Sequence, residues 1–129
     1  MTRQTKSMST PLARARGLGS AKSGLQHWWH QRVSAVAMVG LVIWMVFLVF
    51  SLAGADYQTA LNVLSHPANA TVVVLFVAVG LWHASLGLQV VLEDYVANES
   101  VRLIAVLAVK MVASITAVMA ILSVLKVAL

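Results

Sequence analysis

Three long apolar runs, separated by short polar stretches, organise the chain. The first extends from about Val33 to Ala53 and carries no charged residue. Its length matches the ~20 residues a helix needs to cross a ~30 Å hydrocarbon layer. Residues 54–70 form a polar connection that includes Asp56, Asn62, His66, Pro67 and Asn69, with a short interfacial helix expected around Tyr57–Leu64. The second run extends from about Thr71 to Leu92 and ends on Glu93-Asp94-Tyr95. A tight connection is expected around Asn98–Ser100, and the third run extends from about Leu103 to Val124. The pattern predicts an all-α integral membrane protein: three transmembrane helices over 33–53, 71–92 and 103–124, forming part of an anchor-type helical bundle.

Composition agrees with the pattern. The chain of 129 residues is 60% hydrophobic and only 10% charged, with a mean hydropathy of +0.89. Soluble domains carry about 45–50% apolar and about 25% charged residues, so membrane residence is close to forced. The absence of cysteine excludes disulfides, thiolate metal sites and cysteine-ligated iron–sulfur clusters. With so few charged side chains, no catalytic residue is expected, and chemistry on a water-soluble substrate belongs to another chain.

Charge then sets the topology. Six of the nine basic residues (Arg3, Lys6, Arg14, Arg16, Lys22, Arg32) precede the first span, with no acid among them. That flank follows the positive-inside bias rather than a nucleic-acid-binding pattern. Residues 1–26, broken by Pro11 and the Gly17–Gly19 pair, read as a flexible cytoplasmic arm, and 27–129 as the membrane domain. The N-terminus is expected inside and the C-terminus outside, with Arg102 on the inner side and Lys126 on the outer. Lys110, about two turns into the third run, is expected to snorkel toward the inner face. The arm does not read as a secretory signal, although an acid-free, Arg/Ser-rich start is similar to a mitochondrial transit segment. A bacterial inner membrane is thus the expected location, with the mitochondrial inner membrane as the alternative.

In this topology His27, Trp28, His30 and Arg32 enter span one on the side where Asp94 and Tyr95 leave span two. Consecutive antiparallel spans are usually neighbours. These residues are therefore expected to meet near the inner interface, with Arg32 and Asp94 neutralising each other. A plainer reading makes Trp28, Trp29 and Tyr95 an aromatic belt and Arg32 an anchor to lipid phosphates. His83 lies near the middle of span two, where an ionisable residue is a functional-site hypothesis. A neutral imidazole has one donor and one acceptor nitrogen, and two roles satisfy them. It can ligate a metal, haem iron above all, or make an interhelical hydrogen bond within a small-residue packing face. Gly80, Gly87, Val90 and Asp94 fall within about 60° of His83 on a helix, which suits either a macrocycle groove or close helix packing. No second histidine lies at that depth, so a second haem ligand would come from another chain. Asp94 is roughly 16–17 Å further along, an offset that leaves room for a haem in mid-membrane and a second, small-molecule site nearer the inner surface.

Two runs carry a family resemblance: Ser23–Val36 (SGLQHWWHQRVSAV) and His83–Val96 (HASLGLQVVLEDYV). They resemble the D-type hydrophobic anchor of succinate dehydrogenase, respiratory complex II, and Gly17–Lys22 is similar to alphaproteobacterial members. The resemblance implies a partner three-span C-type anchor, together docking an iron–sulfur subunit and a flavoprotein subunit. It implies His83 as an axial ligand of haem b, and Tyr95, with Asp94 beside it, as a hydrogen-bonding partner of ubiquinone. By the same resemblance His27 and Arg32 match positions that in this family lie near the haem propionates and the quinone pocket, with His30 less securely matched. Relatives often continue with His-Gly after Asp-Tyr-Val, whereas Ala97-Asn98 follow here. The competing readings are a cytochrome b anchor for another dehydrogenase and a cofactor-free membrane assembly protein. A small transporter fits poorly, since no inverted repeat or broken span is visible.

Overall fold

The computed structural model describes residues 10–17 and 24–129. The rest of the expected arm, including most of the Gly17–Lys22 run, lies outside the described residues. Among the described residues five helices follow in order, three of them long and apolar enough to cross a membrane. Helix α1 (Pro11–Ala15) opens on a proline whose missing N–H costs nothing at a first helical position, and it is followed by Gly17 at φ +64°. Helix α2 (Gly24–Leu52) ends before Gly54, whose φ of +78° turns the chain. Helix α3 (Tyr57–Ser65) is the expected interfacial helix, capped by Asp56, which accepts a hydrogen bond from the Thr59 amide at 3.0 Å. The Thr59 hydroxyl and amide hold the Asp56 carboxyl below its ordinary value of 3.8.

Helix α4 (Pro67–Tyr95) starts directly afterwards. His66 is its cap, with Nδ1 accepting from the Ala68 amide at 3.3 Å, and Pro67 occupies the first turn. Helix α5 (Glu99–Ala128) begins on Asn98, whose side chain accepts from the Val101 amide at 3.1 Å. The expected connection at 98–100 is thus largely the first turn of α5. Each long helix overruns its apolar run, by nine residues at the start of α2. Hydropathy marks only the lipid-facing stretch, whereas backbone hydrogen bonding continues through the polar interface. At 1.5 Å per residue, 29 residues span ~43 Å.

Helix α4 packs between α2 and α5, which do not touch each other among the described residues, and α3 contacts all three. The antiparallel order brings the start of α2, the end of α4 and the start of α5 to one end of this layer, with α3 at the other. At the α3 end, Asn69 accepts from the Trp44 indole N–H at 3.2 Å and donates to the Val63 carbonyl at 2.8 Å, tying α2, α4 and α3 together. Little is fully buried: Ser34, Leu48, Ala70, Ser85 and Leu86. In lipid, apolar side chains gain nothing by hiding from the solvent, so contact depends on close packing and polar pairs. The α2 face toward α4 follows a spacing of three and four residues, from His27 through Gln31, Ser34, Met38, Leu41 and Met45 to Leu48, all of them shielded.

Candidate cofactor site at the polar end of the α2–α4 seam

Toward the start of α2 this seam turns polar at Ser34, Gln31 and His27. Ser34 is fully buried at 0% exposure. Its Oγ lies 2.8 Å from His83 Nδ1 and 3.1 Å from the Gln31 carbonyl, to which it donates. A serine hydroxyl has one proton. With that proton on the Gln31 carbonyl, the oxygen accepts from His83 Nδ1–H, and Nε2 carries the lone pair. Nε2 makes no hydrogen bond among the described residues. This is the arrangement found behind metal-bound histidines, where the distal nitrogen is fixed by an oxygen acceptor. The two roles weighed for His83 from sequence are therefore compatible, because they use different nitrogens. Among the described residues no three histidines or carboxylates gather around a bare ion. A lone imidazole suits a cofactor that brings its own equatorial ligands.

The glycines contribute to helix packing. A Cβ on Gly80 would meet the Met38 thioether at 3.6–3.7 Å, and one on Gly87 would meet Gln31 Nε2 at 3.6 Å. The space beside them is thus the seat of α2. Two further atoms on this seam, His27 Nε2 and Gln31 Oε1, are buried without a partner, as is Gln89 Oε1 on α4. Orphaned polar atoms on the same seam as His83 fit a polar group supplied from outside the chain. His30 packs against Trp82 with ring centroids 5.7 Å apart.

Arg32 and Asp94 do not meet. Arg32 lies two residues before Ser34, hence within ~3 Å of the His83 level, whereas Asp94 is eleven residues past His83, ~16 Å further along α4. The expected pair assumed that both ends of the spans share one depth, and the register set by Ser34 and His83 places them about two helical turns apart. The guanidinium instead stands 5.6 Å from the centroid of the Trp28 ring. Asp94 is exposed, and Tyr95 is 85% exposed at the last turn of α4. His83 and Arg32 thus share one level, Asp94 and Tyr95 lie ~16–18 Å beyond it, and His27 falls between, about two turns from His83 and about one from Asp94. Ser34 and Gln31 were missed in sequence. Their signal was the four-three spacing that continues from His27.

Comparison with known proteins matches this architecture. Residues 6–117 fit the family described as succinate dehydrogenase/fumarate reductase transmembrane subunit. The chain is 33% identical over 97 residues to the succinate dehydrogenase hydrophobic membrane anchor subunit of Rickettsia bellii, covering 75% of this chain and 78% of the relative. The corresponding subunit of Paracoccus denitrificans is 37% identical over 86 residues, 67% of each chain. The succinate dehydrogenase membrane anchor subunit of Reclinomonas americana is 30% identical over 88 residues, 66% of this chain and 73% of the relative. No solved structure matches. Three spans and bacterial relatives agree with a multi-pass protein of the bacterial inner membrane. With a match that takes in α2, α4 and most of α5, the chain belongs to the succinate dehydrogenase/fumarate reductase transmembrane subunit family.

Proposed function

We propose that this chain is the non-catalytic D-type anchor of a succinate:ubiquinone oxidoreductase, with its N-terminus on the inner side. It pairs with a C-type three-span anchor, docks the iron–sulfur and flavoprotein subunits, shares a haem b and completes part of the ubiquinone site. The observation that carries this reading is the Ser34–His83 hydrogen bond, which leaves Nε2 available at membrane depth. Haem b, when bound, supplies a one-electron carrier within the membrane.

The chain's own residues divide the work by depth. Ser34 fixes the imidazole of His83, so Nε2 would be offered to a haem iron from a ring already held in one orientation. Arg32 can offer a propionate two parallel hydrogen bonds from one guanidinium. His27 Nε2, buried without a partner, would in its Nε2–H tautomer donate to a polar group on the seam side of the helix. Nearer the end of α4, the Tyr95 hydroxyl donates to a quinone carbonyl, and the Asp94 carboxylate beside it takes up protons from water and passes them on. Quinone reduction takes two electrons and two protons, and a site at the interface has water at hand for the second. The exposure of Tyr95 in the single chain fits a pocket whose other walls belong to partner subunits.

A dithionite-reduced minus oxidised spectrum of the detergent-purified complex tests the haem assignment. A b-type signal in the wild type that disappears in His83→Ala is expected. A wild type without that signal would leave the cofactor-free assembly reading, in which Ser34–His83 is only a packing contact. Tyr95→Phe is expected to impair quinone reduction with haem retained, and unchanged quinone kinetics would favour the anchor of another dehydrogenase.

A further inference from the structure

A second polar feature lies on the other seam, between α4 and α5, away from His83. A cavity of about 350 Å³ is lined by Trp82 and Ser85 on α4 and by Lys110 and Ser114 on α5, and turns apolar toward Ala78 and Ala117. Ser85 donates to the Trp82 carbonyl and Ser114 to the Lys110 carbonyl, each at 2.8 Å, so neither hydroxyl has a proton left for a ligand. The Lys110 ammonium has no acidic partner among the described residues. A cation this far into a span is costly unless something compensates it.

Depth identifies the compensating group. Helix α5 has 30 residues, ~45 Å against a hydrocarbon layer of ~30 Å, so its ends project by about 7 Å each. Lys110 stands eleven residues after Glu99, ~16 Å along, which puts its Cα about 9 Å inside the layer. Helical side chains tilt toward the N-terminus. An extended lysine therefore carries its ammonium most of the way back to the boundary, the level of lipid phosphates. Below it the groove continues toward Ala78 and Ala117, deeper in the layer, with walls that suit an acyl chain. A cation at headgroup level above an apolar furrow matches the two-part chemistry of one lipid molecule. A partner's carboxylate would match the charge alone.

We propose that the α4–α5 groove is a binding site for a single anionic phospholipid, its phosphate on Lys110 and an acyl chain along Ala78 and Ala117. The inference is independent of the haem and quinone assignments.

The test is native mass spectrometry of the assembled complex, released from bilayers of equal parts phosphatidylglycerol and phosphatidylcholine. The wild type is expected to retain phosphatidylglycerol in preference to phosphatidylcholine. Lys110→Gln should reduce that preference about tenfold or more, tenfold being the lower end of what one charge-assisted hydrogen bond carries, and Lys110→Arg should restore it. Ser114→Leu, at an exposed position on the groove wall, should abolish retention of either lipid while leaving the charge. Arg102→Gln, a cation at the same end of α5 but outside the groove, should leave the preference intact. Unchanged selectivity in Lys110→Gln, or equal loss in Arg102→Gln, would overturn the proposal. Absence of retained lipid from the wild type would do the same, and is the result expected if a partner's carboxylate fills the groove.

Discussion

Ser34 touches both the helix that carries it and the histidine opposite, and its removal separates those two roles. Ser34→Ala deletes the acceptor for His83 Nδ1–H while adding no bulk at a site with 0% exposure. Loss of such an outer partner typically costs about 10–100-fold in metal affinity. Haem content per complex after a graded detergent wash should fall accordingly, and an unaltered content would remove Ser34 from the site. Asp56 offers a residue-scale prediction outside the membrane. Its carboxyl lies below 3.8 in the folded chain because the Thr59 hydroxyl and amide stabilise the charged form. Its support of α3 is therefore complete above 3.8 and is lost as pH falls through the lower folded value. Hydrogen exchange should show α3 better protected in the wild type than in Asp56→Ala, with the gap closing in acid. His83 was legible in the sequence because an imidazole stands out in an apolar run. Ser34 was not, because a serine in such a run reads as a small packing residue until a cross-helix register pairs it with something.

At the scale of helices, the three apolar runs and the short helix after Gly54 were all legible, because each depends on local composition. Their ends were less so: α2 starts at Gly24 rather than near Val33, since Trp28, Trp29 and their neighbours prefer an interface without ceasing to be helical. What the glycines of α4 face was also hidden, since a groove for a ligand and a seat for a helix call for the same small residues. The distinction yields a prediction. Gly87→Ala places a methyl 3.6 Å from Gln31 Nε2, an ordinary contact, and relieves a helix glycine that costs up to about 1 kcal/mol. Gly87→Leu must push α2 away and should cost about 1–3 kcal/mol. Thermal unfolding in detergent should rank alanine at or above the wild type and leucine well below it.

The molecule as a whole is a layer with α4 in the middle and two helices that share no contact. The face of α2 that bears Val36 and Phe47 is open, while Leu48 is enclosed. Single cysteines at these positions make the proposed pairing measurable. Val36→Cys and Phe47→Cys should react with a membrane-soluble maleimide in the lone chain, and at least one should be shielded when the C-type anchor is co-expressed. Leu48→Cys should resist in both states. Equal labelling with and without that partner would place its contact elsewhere. With a single histidine at that depth, the sequence led to the expectation that a haem at His83 would take any second ligand from another chain. It did not indicate which surfaces remain open, because periodicity cannot separate a lipid-facing stripe from a partner-facing one when both are apolar.

The Trp44–Asn69–Val63 tie has a consequence for the life of the chain before assembly. At that end no buried side-chain polar atom lacks a partner among the described residues. At the opposite end His27, Gln31 and Gln89 each keep a buried atom waiting. A newly inserted copy is like a clothes peg with its spring finished and its jaws empty. In the proposed assembly, orphan copies would differ from incorporated ones mainly at the jaws, the end at which buried polar atoms are still unpaired.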